Sequence, residues 1–111
     1  MTETDNSRSD RNGYAPSILQ SEEDQAWCFR CGRCSEKLDR HEVFGGPYRD
    51  KSKAFGLWVM LCHSTCHEGR CGVHGDPEEA RRLKKKAQRV AMRTYGWTTD
   101  DFIREFGKNW L

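Results

Sequence analysis

Apolar and polar residues follow one another along this chain in an order that predicts two strands and then helices. Residues 38–43 (Leu-Asp-Arg-His-Glu-Val) roughly alternate between apolar and polar types, as a half-buried strand does. Residues 57–61 (Leu-Trp-Val-Met-Leu) form a short apolar run that is long enough for one buried strand. The glycines, proline and polar residues of 45–53 predict a loop between them. We therefore expect a hairpin with a long connection.

Helical periodicity begins after residue 76. Asp76 is a suitable helix cap, Pro77 suits a first turn, and apolar residues then recur at helical spacing as far as Gly96. This pattern predicts a helix over residues 77–95. A second, shorter helix is expected over residues 99–107. The chain is thus expected to belong to the α+β class.

The net charge of +2 is unevenly distributed along the 111 residues. Residues 1–24 contain six acidic and two basic residues, and they show little periodicity, which predicts a disordered or loosely docked leader. Residues 25–111 contain eleven acidic and seventeen basic residues and are expected to form one domain. A basic domain is consistent with a polyanionic partner. No apolar run approaches membrane-spanning length and no secretory signal is visible, so we expect a cytoplasmic protein without a membrane partner.

The cysteines provide a means of stabilising a small core. Only 35% of the residues are hydrophobic, and small domains of this kind usually depend on a metal or on disulfides. In a reducing cytosol, paired cysteines bind zinc more often than each other. We therefore predict a tetrahedral zinc site, which needs two short cysteine pairs from distant parts of the chain.

Six cysteines compete for the four ligand positions. Cys31 can pair with either Cys28 or Cys34, and Gly32 favours the first pairing because the residue after such a knuckle often needs a glycine conformation. The predicted ligands are Cys28, Cys31, Cys62 and Cys66. Cys34 and Cys71 are left unassigned. If zinc binding is the only special property of the chain, a ribbon-like module without chemistry is expected.

Three further motifs follow the cysteine knuckle in a recognisable order. They are residues 40–46 (Arg-His-Glu-Val-Phe-Gly-Gly), residues 61–67 (Leu-Cys-His-Ser-Thr-Cys-His) and residues 72–75 (Gly-Val-His-Gly). This order resembles the HNH endonucleases, also called His-Me finger or ββα-metal nucleases. With the ending Phe-Gly-Lys-Asn-Trp-Leu, it is similar to small HNH-like proteins of phages and prophages. The resemblance covers about residues 27–111.

The resemblance implies a zinc-stapled ββα-metal domain with C-terminal helices that hydrolyses the phosphodiester bonds of nucleic acid. It implies that His41 is the general base, since a neutral imidazole suits proton abstraction near pH 7. His67 occupies the place of a residue that steadies the site, and His74 that of a ligand of the catalytic ion. That ion is expected to be Mg²⁺ or another divalent cation.

One residue departs from the family pattern. The residue before the base histidine is commonly an Asp or His that holds the metal, but here it is Arg40, which cannot ligate a cation. Either Asp39 or Glu42 substitutes for it, or His41 is itself a ligand, or the site is inactive. On an extended strand Asp39 shares the face of His41, which makes it the better-placed helper. His63 is expected to be an exposed bystander.

The predicted helix 77–95 is strongly basic, with seven basic and two acidic residues. Five of the basic residues crowd one sector of the helix, away from Leu83 and Val90: Arg82, Lys85, Lys86, Arg89 and Arg93. Such a face can bind a phosphate backbone, with an affinity that falls as salt rises. The alternative is an ordinary solvated helix face.

With the resemblance, the sequence predicts a metal-dependent endonuclease of HNH type that acts on nucleic acid, with DNA favoured over RNA, in the cytoplasm. If the protein is encoded by a phage, this is the cytoplasm of the bacterial host. The first alternative is a non-catalytic, zinc-stabilised DNA-binding accessory module with a degenerate HNH fold. A third interpretation is a protein–protein adaptor that docks through the acidic leader.

Overall fold

A two-stranded antiparallel sheet and three α-helices make up most of the computed structural model, which describes residues 10–32, 37–69 and 72–111. The strands are β1 (Leu38–Glu42) and β2 (Trp58–Cys62), and the helices are α1 (Arg49–Ala54), α2 (Pro77–Tyr95) and α3 (Thr99–Phe106). Short 3-10 turns cover Glu23–Ala26 and Gly46–Tyr48, and a π-helical turn covers His63–His67. The predicted α+β class is confirmed.

The two predicted strands pair with each other. Asp39 lies opposite Leu61 and His41 lies opposite Val59 in the antiparallel register. Strand β2 is buried at four of its five positions, as its apolar run predicts, whereas β1 is only partly buried. The half-buried strand therefore has a face that is free to present polar side chains.

The predicted loop over residues 45–53 is wrong in its second half, because helix α1 occupies Arg49–Ala54. A 3-10 turn with a proline near its start precedes this helix and leads the chain into it. The Ser52 hydroxyl is fully buried, donates to the Phe44 carbonyl oxygen and accepts from the Phe44 N–H. This contact fastens α1 to the end of β1.

Both predicted C-terminal helices are present. Helix α2 covers the predicted range, and its N-cap Asp76 accepts a hydrogen bond from the Glu78 N–H at 3.0 Å. Helix α3 ends at Phe106, one residue before the predicted end, because Gly107 adopts a left-handed conformation. Among the described residues, no helix combines the length and the hydropathy needed to cross a membrane.

The hydrophobic core lies between the sheet and helices α2 and α3. Its fully buried side chains include Val59 and Leu61 of β2, Phe102 of α3, and Ala87 and Ala91 of α2. Strand β1 is only partly buried, so its polar side chains remain available for a site.

In the predicted disordered or loosely docked leader, residues 15–20 are hydrogen-bonded to β2, whereas residues 1–9 lie outside the described residues. The Trp58 indole N–H donates to the Ala15 carbonyl at 2.8 Å, the Ser17 hydroxyl donates to the Trp58 carbonyl at 2.7 Å, and the Met60 N–H donates to Gln20 Oε1 at 2.9 Å. These bonds satisfy polar groups of β2 that sheet pairing leaves open. The polar composition of residues 15–20 is consistent with this role, because the segment binds the sheet through hydrogen bonds.

Candidate metal centres and active site

The four predicted zinc ligands form one cluster. The sulfur atoms of Cys28, Cys31, Cys62 and Cys66 all lie within 4.8 Å of one another, and those of Cys31 and Cys62 are 3.6 Å apart. Three of these side chains are buried and that of Cys31 is exposed. Four thiolates from two distant segments can hold a metal ion such as zinc. Cys34 and Cys71 lie outside the described residues.

The knuckle and the π-helical turn bring these sulfur atoms together. The Cys31 N–H donates to Cys28 Sγ at 3.4 Å, and Gly32 has a φ of +77°, which supports the predicted need for glycine there. Cys62 ends strand β2 and Cys66 lies in the following turn. An ion at this cluster would therefore join the N-terminal segment to the sheet.

The electrostatics of the cluster favour a bound cation. Burial opposes ionisation of Cys28, but backbone N–H groups of Cys31 and Cys62 donate to its sulfur, and the pKa of this thiol is lowered to about 6. Burial raises the pKa of Cys66 to about 12 and also raises the pKa of Cys62. The Arg30 guanidinium donates to Cys66 Sγ at 3.5 Å and supplies one positive charge. If all four thiols were ionised, their negative charges would need more positive charge than one guanidinium supplies, and a bound divalent ion would provide it.

Three histidines form a second cluster. Ring nitrogens of His41, His67 and His74 lie within 4.8 Å of one another, and the Nε2 atoms of His67 and His74 are 3.1 Å apart. The His41 ring centre is 5.1 Å from that of His67 and 5.2 Å from that of His74. All three predicted active-site histidines therefore point to one place, although they come from β1, the π-helical turn and the loop before α2.

The backbone connects the histidine cluster to the cysteine cluster. His67 directly follows Cys66, and the Val73 N–H donates to the Cys66 carbonyl at 2.9 Å while the His74 N–H donates to the His67 carbonyl at 3.1 Å. Gly72 permits this approach, because an added Cβ would lie 2.5 Å from the Thr65 carbonyl oxygen. The segment that presents His74 is thus fastened to the turn that presents a cysteine ligand.

Asp39 lies behind the histidine cluster. Its Oδ2 accepts from Nδ1 of His67 at 2.9 Å and from Nδ1 of His63 at 2.6 Å. Asp39 was predicted to assist the site from the same strand face as His41. Instead its carboxylate bonds Nδ1 of His67, and the Nε2 atom of His67 then faces His74. Burial opposes the charge of Asp39, but the bonds from the two histidines lower its pKa below its usual range. His63 is exposed, as predicted, yet it is bound to Asp39.

A second group of metal-ligating side chains uses the other side of His67. Asp39, His67 and Glu68 bring ligand atoms within 4.8 Å of one another, and Glu68 Oε2 is 3.4 Å from His67 Nδ1. Carboxylates beside an imidazole, such as Asp39 and the half-exposed Glu68, also serve simply to orient it. We therefore treat the three-imidazole cluster as the principal site.

Arg40 and Glu42 line the cavity that contains the histidines, but each is paired with other residues. The Arg40 guanidinium is 4.1 Å from the Tyr14 ring centre and 4.6 Å from that of Trp58, and it forms an ion pair with Asp10 at 3.0 Å. The Tyr14 hydroxyl donates to the Glu42 carboxylate, which also pairs with Arg49 at 3.4 Å. Of residues 39 to 42, His41 is the one that belongs to the three-imidazole cluster.

His41 is neutral at physiological pH. Burial is the main cause, and the nearby His67, His74 and Lys84 add to it, so the pKa of His41 is lowered from 6.5 to about 3. A neutral imidazole offers a lone pair to a cation. The same low pKa makes His41 a weak proton acceptor near pH 7, where an efficient general base has a pKa close to the working pH.

A cavity of about 570 Å³ opens onto the histidine cluster. Its charged lining includes Arg49, Glu68 and Lys84 in addition to the histidines. A volume in this range is typical of sites for small organic groups. Lys84 was not singled out from the sequence. Lys84 lies four residues after Ala80, which lines the same cavity from α2, but no feature of the sequence shows that this face of the helix looks onto the histidines.

The five basic residues predicted to bind phosphate lie elsewhere on α2. Arg82 pairs with Glu79 at 3.8 Å, and the Lys86 ammonium is 5.6 Å from the Phe29 ring centre. Arg89 and Arg93 are exposed, and Lys85 is half-buried. Among the described residues, the basic ones that line the histidine cavity are Arg40, Arg49 and Lys84. The predicted basic face and the histidine cluster are therefore separate surfaces.

Comparison of the chain with protein-family models, with curated proteins and with solved structures finds no match. The resemblance to HNH endonucleases thus stays a prediction. What the structure provides is an α+β fold, four cysteines that can hold a metal ion, and three histidines that converge in a cavity. The function is argued below from these features.

Proposed function

We propose that this chain is a metal-dependent endonuclease of HNH type that hydrolyses phosphodiester bonds in nucleic acid. The observation that carries the proposal is the convergence of three imidazoles in an open cavity, directly beside four clustered cysteines. A structural zinc at the cysteines and a second ion at the histidines account for both groups. In this proposal β1, β2 and α2 form the ββα-metal unit.

Of the divalent ions that the sequence allows, the histidine cluster suits a zinc-like transition metal better than Mg²⁺. Mg²⁺ prefers oxygen ligands in near-octahedral geometry, whereas neutral imidazoles suit Zn²⁺, Ni²⁺ and related ions. The low pKa of His41 keeps a lone pair available. When bound, such an ion stabilises the negative charge that develops on a phosphate and its leaving oxygen.

The protein side chains then divide the remaining work. His41, His67 and His74 hold the ion, which changes the role of His41 from the general base predicted from the sequence to a ligand. Asp39 fixes the orientation of His67 through its Nδ1–H. Arg49 and Lys84 line the cavity, where their positive charges favour binding of a phosphodiester.

Plasmid nicking tests the proposal. The parent protein is expected to nick plasmid DNA with added Zn²⁺, Mn²⁺ or Co²⁺ and less well with Mg²⁺. His74→Ala and His67→Ala should abolish nicking while the zinc content per chain stays near that of the cysteine site. His63→Ala is the matched control, because His63 also binds Asp39 but lies outside the three-imidazole cluster. Nicking by His74→Ala at the parent rate would contradict the proposal.

The exposed basic face of α2 favours a second candidate, the non-catalytic DNA-binding module. Arg89 and Arg93 are exposed on the surface of this helix and lie outside the histidine cavity. Such side chains can bind phosphates without any chemistry. Salt-dependent retardation of DNA by the parent and by His74→Ala alike, with no nicking under any added ion, would favour this candidate.

The adaptor interpretation has less support. It relies on an exposed acidic leader, but in the described part of that segment Asp10 is paired with Arg40 and residues 15–20 are bonded to β2. These groups already have intramolecular partners, whereas Glu22, Glu23 and Asp24 are exposed.

A further inference from the structure

Two lysines meet over one tryptophan ring beside the histidine cavity. The Lys84 ammonium, from α2, lies 4.5 Å from the ring centre of Trp110, and the Lys108 ammonium lies 4.2 Å from it. An aromatic ring attracts a cation placed over its face. The ring therefore gathers two positive charges from different segments at one point.

These two lysines have no carboxylate partner among the residues that the structure describes. Other basic residues of the same region do: Lys51 pairs with Glu105 at 3.2 Å, and Arg104 pairs with Asp101 at 3.1 Å. Lys84 is partly buried, and burial together with Lys108 lowers its pKa. Two neighbouring ammonium groups without a counter-charge favour binding of an anion.

The lysine pair is continuous with the histidine cavity. A second cavity of about 160 Å³ is lined by Tyr48, Lys108 and Trp110, among other residues. It shares Gly45 and Lys84 with the cavity that contains the histidines. Lys84 thus lies between the two cavities, and a nucleic-acid strand bound in the histidine cavity can extend into the cavity beside Trp110.

The segment that carries Lys108 and Trp110 is held in place by α2. Gln88 is fully buried, its Nε2 donates to Asn109 Oδ1 at 2.8 Å, and its Oε1 accepts from the Trp110 N–H at 2.7 Å. A preorganised pair of charges loses little freedom when a ligand binds.

We propose that Lys84 and Lys108 bind the phosphate that neighbours the scissile phosphate in the nucleic-acid strand. This assignment rests on the proposed function. It places the strand along the line from the histidines to Trp110, and not on the helix face of Arg82, Lys86 and Arg89 that the sequence suggests.

Binding measurements test the assignment without cleavage. We suggest fluorescence anisotropy with a short labelled single-stranded DNA, at several salt concentrations and without added divalent ion. Lys84→Gln and Lys108→Gln are each expected to weaken binding about ten-fold and to reduce the slope of log affinity against log salt by about 0.7. Lys51→Gln removes one charge outside both cavities and serves as the control. Circular dichroism establishes that each variant is folded.

A comparison of two substrates separates this position from the reaction centre. Bis(p-nitrophenyl) phosphate has one phosphodiester and no neighbouring phosphate. Lys108→Gln should therefore lower kcat/KM for an oligonucleotide about ten-fold more than for this small diester. Trp110→Leu should weaken DNA binding as the lysine variants do, whereas Trp110→Phe, which keeps an aromatic face, should retain most of the affinity.

The outcomes distinguish the two proposals. If the parent nicks plasmid but both lysine variants bind DNA with the parent affinity and salt slope, the phosphate position is refuted and the nuclease proposal stands. If binding depends on both lysines but nothing is cleaved, the lysine pair is supported as a phosphate-binding position, while the nuclease proposal fails and with it the placement next to a scissile phosphate. A parent protein that does not bind the DNA overturns the phosphate position.

Discussion

Replacement of Cys66 by serine separates a zinc ligand from an ordinary buried cysteine. The side chain is only 1% exposed, and serine has nearly the same shape. If the thiol merely packs in the core, the variant loses about 1–3 kcal/mol, because a hydroxyl is then buried in its place. For a domain of this size that lowers the midpoint of thermal unfolding by roughly 4–8 °C per kcal/mol.

A zinc ligand predicts a far larger effect. Structural zinc supplies about 10–16 kcal/mol in small zinc domains, which is comparable with the whole stability of a typical domain, about 5–15 kcal/mol. We therefore expect Cys66→Ser to lose both its zinc and its cooperative unfolding transition. The same result is expected when a chelator removes zinc from the parent.

Thermal unfolding followed by circular dichroism, with metal analysis of the same samples, measures both quantities. Cys71→Ser is the control, since Cys71 lies outside the proposed ligand set. The reasoning is refuted if Cys66→Ser and the chelator-treated parent both keep a cooperative transition within about 25 °C of the parent midpoint.

Three further predictions concern the histidine cluster and the backbone. Asp39→Asn should weaken metal binding at the imidazoles about 10- to 100-fold in a metal titration; unchanged affinity would show that Asp39 does not orient His67. His41, with its pKa lowered to about 3 by burial and the neighbouring imidazoles, should remain neutral at pH 5 by NMR. On acidification the His41 side chain is protonated near pH 6.5 in the unfolded chain but only near pH 3 in the folded protein. Burial of the neutral imidazole therefore contributes its full stability above about pH 6.5 and loses it as the pH falls toward 3. Titration of His41 near pH 6.5 in the folded protein would contradict this prediction. Gly56→Ala and Gly96→Ala both place alanine at a positive φ, but only at Gly56 would the new Cβ collide with the Pro16 carbonyl. In urea unfolding Gly56→Ala should therefore lose more free energy of unfolding than the roughly 1 kcal/mol expected for Gly96→Ala. Equal losses in the two variants would refute this.

The helices and the cysteine cluster could be predicted because their signals are local. Asp76 and Gly96 limit α2 through capping and backbone conformation, which depend on a few neighbouring residues. The spacing of Cys28 and Cys31 likewise restricts which sulfur atoms can reach one ion. Such rules hold whatever the rest of the fold does.

The errors arose where contacts between distant segments decide the outcome. Helix α1 depends on the bond between Ser52 and Phe44, and residues 15–20 are ordered by Trp58 and Met60 of β2. Neither partner is visible in the local pattern of polar residues. Composition alone therefore predicted a loop where α1 lies, and it could not show how residues 15–20 are bonded to β2.

The candidate site was only partly readable for the same reason. The alternation of side chains along β1 correctly placed Asp39 and Arg40 on opposite faces of the strand. It could not show that Asp39 would bond Nδ1 of His67. The projection of α2 identified an exposed basic sector and overlooked Lys84, whose importance comes from the histidines across the cavity. A helix projection contains no information on what faces each side.

Zinc-edge X-ray absorption, measured with one and then two equivalents of Zn²⁺ per chain, tests most directly whether the chain has two distinct metal sites. The first equivalent should show four sulfur neighbours at about 2.3 Å, and the second should add nitrogen neighbours at about 2.0–2.1 Å that disappear in His67→Ala. A first ion with mixed sulfur and nitrogen ligands, or a second ion that acquires no nitrogen neighbours, would contradict the account.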